Sequence, residues 1–259
     1  MKATATSAAT LLALAASATA RTFTVYNACP FTIWPAVFTD LNVGSATPGI
    51  ETGWSAAPYT ARSFNVPDNW KAGRIWARRN CNFSSNPGPN SCADGGCNGG
   101  LLCDPRTGTG VPPATLAEWT LSAGEGGNWD YYDISLVDGY NLPAKITNNV
   151  GCEEASCPVD LGPNCPAALK GPFDSTGFPL GCKSDCLVDR NPGNSPSCCS
   201  GSHSTPQTCP PSGVPNYNYF KKNCPRSYVY AYDESSGTAL FTCDARKKAN
   251  YTLTFCPPP

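Results

Sequence analysis

The chain has 259 residues, 18 basic against 19 acidic side chains, and a formal net charge of −1. It has no basic tract to follow a phosphate backbone, which argues against nucleic acid as a partner; beyond the N-terminus, no run approaches the ~18 apolar residues of a membrane span. Charged residues make up only 14% of the chain, whereas Gly and Pro number 24 and 26, a balance that favours short strands joined by many turns.

In chain order, Met1-Lys2 is a short basic start, residues 11–16 are apolar, and Ala18-Thr19-Ala20 is a small-x-small site. These are the parts of a secretory signal peptide, predicted to span 1–20 and to be cleaved after Ala20. The expected product, 21–259, is a soluble protein, extracellular or in a cell wall. In that oxidising route sixteen cysteines read as a disulfide framework rather than as zinc sites. Period-two alternation predicts strands at 22–27, 31–38, 62–66 and 73–78, with Arg74, Trp76 and Arg78 on one face of the last. Residues 80–110 are rich in Gly, Asn and Pro, hold four cysteines, and read as a small stapled lobe. Strands return over 115–147. From 151 to 224 the periodicity collapses into a cysteine- and proline-rich lobe, with one short helix expected near 217–223. A hairpin is expected over 227–242, around Asp233-Glu234-Ser235-Ser236-Gly237, and a last strand over 251–255. The partition is therefore one unit, mostly β, with a sandwich core of 21–78, 115–150 and 227–259 carrying two loop lobes.

Five segments carry a specific resemblance: Asn27-Ala28-Cys29-Pro30, Gly73-Arg74-Ile75-Trp76-Ala77-Arg78, Pro112-Pro113-Ala114-Thr115-Leu116-Ala117-Glu118, the run 132–141 (Tyr-Asp-Ile-Ser-Leu-Val-Asp-Gly-Tyr-Asn), and Leu253-Thr254-Phe255-Cys256-Pro257. With the order of the cysteines, they make the chain resemble the thaumatin-like proteins, the pathogenesis-related group 5 family. The resemblance implies a thaumatin-like β-sandwich with disulfide-rich loop lobes. Sequence alone leaves about two million pairings of the cysteines open. The resemblance implies eight: Cys29–Cys256, Cys81–Cys92, Cys97–Cys103, Cys152–Cys243, Cys157–Cys224, Cys165–Cys182, Cys186–Cys198 and Cys199–Cys209.

The family also carries one Arg and four acids in a cleft, matched here by Arg74, Glu118, Asp133, Asp138 and Asp233. Glycoside hydrolysis commonly uses two carboxyl groups, one to protonate the leaving oxygen and one to activate water or attack carbon. The expectation is Glu118 as general acid and Asp133 as base or nucleophile, with Arg74, Asp138 and Asp233 in support. Trp129, Tyr131, Tyr132, Tyr140, Tyr230 and Tyr232 are the rings available to stack on sugar faces. His203 is the only histidine and reads as a surface residue, and Asn82 and Asn250 stand in glycosylation sequons. No cofactor and no metal are expected. The implied partner is a β-1,3-glucan polysaccharide bound by a monomer. Three readings stay open: an endo-glucanase, a non-catalytic glucan-binding or antifungal wall protein, and an inhibitor of another secreted hydrolase. The matched cleft favours the first two.

Overall fold

The computed structural model describes residues 20–122 and 127–258. Except for Ala20, the expected signal peptide lies outside the described residues. In chain order the strands are β1 (Ala20–Asn27), β2 (Trp34–Thr39), β3 (Thr60–Pro67), β4 (Gly73–Arg78), β5 (Leu116–Thr120), β6 (Trp129–Ser135), β7 (Ala144–Asn148), β8 (Ala155–Cys157), β9 (Phe241–Asp244) and β10 (Tyr251–Phe255). They form two five-stranded sheets, ordered β3-β1-β10-β7-β8 and β2-β4-β5-β6-β9. All neighbours run antiparallel except β1 and β10, which are parallel.

Alternation explains which faces meet. β1 turns Phe23 and Val25 inward, β4 Ile75 and Ala77, β5 Ala117 and Trp119, and β10 Tyr251 and Leu253, into one core cluster. Aromatic rings fill its centre: Phe23 lies 5.2 Å from Trp119, 5.3 Å from Tyr251 and 5.8 Å from Trp70, centroid to centroid. Burying such rings supplies most of the driving force, at about 25 cal/mol per Å² of apolar surface. Three charged side chains are buried here as one cluster. Arg21 donates from Nε to Asp68 at 2.9 Å and from Nη1 to Asp130, all three side chains being fully shielded.

All eight disulfides pair as the resemblance implies. Cys29–Cys256 joins the chain just beyond the parallel pair β1 and β10. The small lobe is tied down by Arg78, which leaves β4 fully buried. Its guanidinium donates to the carbonyls of Trp34 (2.9 Å), Pro35 (3.2 Å), Gly100 (2.6 Å) and Leu101 (2.9 Å). Gly53 permits that approach: a Cβ there would stand 2.0 Å from the Leu101 carbonyl oxygen. The larger lobe holds two short helices, α1 (Asp185–Val188) and α2 (Tyr217–Asn223), the second where it was expected.

Two details depart from the sequence reading. Residues 227–242 form no hairpin; Tyr228 pairs in parallel with Ser135 at a single position, and Asp233–Ser236 wind into a 3-10 turn before β9. The larger lobe also lends β8, which pairs with β7 as the edge of the first sheet.

Candidate active site

Strand register assembles the site. Arg74 on β4 lies directly opposite Glu118 on β5, and Glu118 lies directly opposite Asp133 on β6. Their immediate neighbours along the strands (Ile75, Ala117 and Ile134) point into the core. Arg74, Glu118 and Asp133 therefore form one row across the outer face of three adjacent strands. Directly opposed side chains start from Cβ atoms about 4.5–5.5 Å apart, so their charged ends interact. Asp138 joins from the turn that follows β6. Its carboxylate lies 3.9 Å from one Arg74 terminal nitrogen, and the Glu118 carboxylate lies 3.4 Å from the other. The three side chains remain about a third exposed, 28% for Arg74, 32% for Glu118 and 38% for Asp138. Pairs this open and this long add little stability. Their effect is on charge at the cleft floor. The hollow above the row measures about 280 Å³ and is also walled by Asp40, Tyr131 and Leu240.

The acids sit in unequal surroundings. Burial pushes Asp133 well above the usual carboxylate range, and the neighbouring Glu118 and Glu234 push it further, against a smaller pull from Arg74. Burial also raises Glu118, but Arg74, 3.4 Å away, opposes the rise, while Asp138 adds to it. Asp138 is raised by burial and restrained by Arg74. Two polar atoms at the floor, Arg74 Nε and Asp133 Oδ1, are buried without a hydrogen-bond partner. Such atoms are costly unless something satisfies them, which is how a site prepared for a polar ligand looks.

Asp233 does not join the row. It is fully buried, accepting from Lys221 Nζ at 2.9 Å, Tyr217 Oη at 2.8 Å and the Val229 amide at 3.0 Å. The next residue, Glu234, is the exposed acid whose charge reaches Asp133. The rings divide as well. Tyr131, 40% exposed, lines the hollow, and Trp129 is exposed two residues before it on the same strand. Tyr132 and Tyr140 are fully buried, with hydroxyls on the Glu153 carbonyl and the Asp160 carboxylate, so they are core side chains and not stacking platforms. Tyr230 is buried in the larger lobe, and Tyr232 donates to the Ser204 carbonyl at 2.7 Å. His203 is half-buried, with Nδ1 2.9 Å from the Thr208 carbonyl. Asn82 and Asn250 are both exposed. Asp40 and Leu240 were not legible as site residues, since neither lies in a motif and only the fold brings them to the row.

The model of the thaumatin family matches residues 27–257. Thaumatin-like protein 1 of Arabidopsis thaliana is 40% identical over 245 residues, covering 91% of this chain and 86% of that protein. A Prunus avium protein named glucan endo-1,3-beta-glucosidase is 39% identical over 247 residues, covering 92% and 91%. Among solved structures, a laminaripentaose-producing β-1,3-glucanase of glycoside hydrolase family 64 from Paenibacillus barengoltzii aligns over 93% of this chain and 75% of its own. Its TM-score is 0.51 at 12% identity, a likeness of fold alone. The family match over nearly the whole described chain, the paired cysteines and the relatives at about 40% identity agree: this chain belongs to the thaumatin family.

Proposed function

We propose that the chain is a secreted protein that binds β-1,3-glucan along the cleft and hydrolyses it. The observation that carries this is the Arg74–Glu118–Asp133 row, which sets two carboxyl groups side by side in unequal surroundings. Environments that push two carboxyl groups apart assign the acid and the base. Asp133, shielded and flanked by like charge, keeps its proton and serves as the general acid. Glu118 is also raised by burial, but Arg74 at 3.4 Å opposes the rise, so it is the member of the pair that ionises more readily and serves as base or nucleophile. This reverses the roles expected from the sequence. Asp138 and Arg74 hold the charge balance, and Tyr131 offers a ring to a sugar face. The name of the Prunus avium relative supports the same substrate class. Eight disulfides suit an oxidising compartment and hence secretion.

The test is purified protein on a linear β-1,3-glucan, with new reducing ends counted over time and binding measured by co-sedimentation. Asp133→Asn and Glu118→Gln are each expected to lose cleavage by about 10²–10⁴-fold while still sedimenting with the polymer, because the amides keep shape while the first can no longer give a proton and the second can neither take one nor attack carbon. Binding without cleavage in the unaltered protein assigns the non-catalytic glucan-binding reading. Absence of both sinks glucan as the ligand.

A further inference from the structure

The outer face of the second sheet does not end at the acidic row. On one side of the row it is covered: Trp76 and Leu116, two positions along β4 and β5, pack with Cys97 and Cys103 of the small lobe. On the other side it lies open. Thr120 of β5 stands opposite Tyr131 of β6, and Tyr131 stands opposite Thr242 of β9, which makes a second row. Trp129 opposite Asp244 makes a third. The alternate residues Trp119, Asp130, Tyr132, Phe241 and Cys243 are all buried on the inner side, so the two rings share one face. Of the six tryptophans, four are buried and Trp34 is half-buried against Phe83; Trp129 is the exposed one, at 48%.

The strand beneath the rings is held from inside. Asp130, between them in sequence, is fully buried. Its carboxylate accepts from the Tyr251 hydroxyl at 3.1 Å, from the Ser122 amide at 3.3 Å and from the Arg21 guanidinium at 3.2 Å. The Ala245 amide donates to the Asn128 carbonyl at 2.9 Å and fixes the far end. Tyr131 and Trp129 therefore stand on a backbone that need not order itself when a ligand arrives. Their surroundings on the three strands are neutral. Threonine hydroxyls flank Tyr131 on both sides, and the Asp244 carboxylate is balanced by Arg246 Nη2 at 2.6 Å. Rings and hydroxyls without uncompensated charge suit a neutral polymer whose units have apolar faces and hydroxyl edges.

We propose that the cleft continues along β6 as an extended polysaccharide subsite: a neutral β-glucan leaves the acidic row with one sugar against Tyr131 and another against Trp129, so that the protein recognises a stretch of chain rather than a single sugar. At about 3.3 Å per residue, Trp129 lies roughly 13 Å along the strand from Asp133, the length of about three sugar rings. Continuity with the hollow, which Thr120 and Tyr131 already line, gives the polymer an unbroken path. The subsite rests on the glucan-binding reading of the cleft and needs no cleavage.

The test is acrylamide quenching of tryptophan fluorescence in the full protein, with and without a β-1,3-linked glucose hexamer, alongside calorimetric titration of the same hexamer. Bound hexamer should shield the unaltered protein from quenching, because it covers the exposed tryptophan. Trp129→Phe should lose that shielding yet keep most of the affinity, since a ring remains. Trp129→Ala should bind the hexamer about 2–10-fold more weakly with its urea midpoint unchanged. A hexamer that binds the unaltered protein but leaves quenching as it was, or that binds Trp129→Ala equally tightly, overturns the subsite and leaves the glucan reading standing. A hexamer that does not bind at all removes the glucan reading and the subsite with it. Binding without cleavage removes only the hydrolytic step.

Discussion

Lys221 and Asp233 carry opposite charges with side-chain exposures of 14% and 1%, and the pair ties α2 to the 3-10 turn Asp233–Ser236. Lys221→Met would leave a buried carboxylate facing only the Tyr217 hydroxyl and the Val229 amide. We expect a loss of about 3–5 kcal/mol in urea unfolding, the range seen when one partner of a buried pair is removed. Adding Asp233→Asn to Lys221→Met should return part of that loss, since no uncompensated charge then remains. Tyr131→Ala should behave differently: glucan affinity falls about 2–10-fold while the unfolding midpoint holds, because this ring is exposed and any stacking involves the ligand rather than the core. Of the site, Arg74, Glu118, Asp133 and Asp138 were legible because each lies in a segment that carries the family resemblance. The burial of Asp233 was not. Sequence distance from Cys224 pointed to Asp233, and strand alternation would have turned that residue outward. The 3-10 turn breaks that alternation, so Asp233 is buried and the exposed acid is the next residue, Glu234.

Strands with strict alternation were the most legible. β4 shows this well, since Arg74 and Ile75 face opposite sides of the sheet as the pattern requires. Gly73, at its start, lies under the Trp70 ring, where a Cβ would be 2.1 Å away. The Tyr-Val-Tyr-Ala-Tyr run over 228–232 alternates as clearly, yet β9 already holds that edge of β6 up to Tyr132, so only Tyr228 finds a strand partner. β8 has the opposite problem: three residues among cysteines and prolines give no periodic signal, and its strand character comes from β7. Arg78 ties β4 to two carbonyls of the small lobe, Gly100 and Leu101, and to two of β2, Trp34 and Pro35, a task suited to a planar fork of donors. Arg78→Lys reaches fewer of them and leaves buried acceptors unpaired. Amide exchange at residues 97–104 should rise while exchange in β1 and β10 stays slow, and global stability should fall by about 1–3 kcal/mol.

The cleft makes the stability of the protein depend on pH in a definite direction. Folding raises the Asp133, Glu118 and Asp138 carboxyl groups above their unfolded values, so the native state keeps protons that the unfolded chain has released. Stability therefore falls as pH rises from about 4 through the raised native midpoints, and mild acid restores it. Asp244 works the other way. The Arg246 guanidinium lowers it to about 2, and its contribution is present above the unfolded value and lost as pH falls through that midpoint. We expect Asp133→Asn to raise the urea midpoint at pH 7 and to leave it unchanged at pH 4; an equal effect at both values would show that Asp133 is not shifted. The parallel pair has a consequence of another kind, in time. β10 fills the middle of its sheet, between β1 and β7, yet it is the last strand of the described chain to leave the ribosome. Until it emerges, two strands face an empty slot with unpaired amides and carbonyls, and the thiol of Cys29 must wait for Cys256, the final cysteine to be made. Closure is thus a late event in biosynthesis, and a ribosome that stops before Tyr251 would release a chain whose first strand keeps β3 on one side and has lost its neighbour on the other.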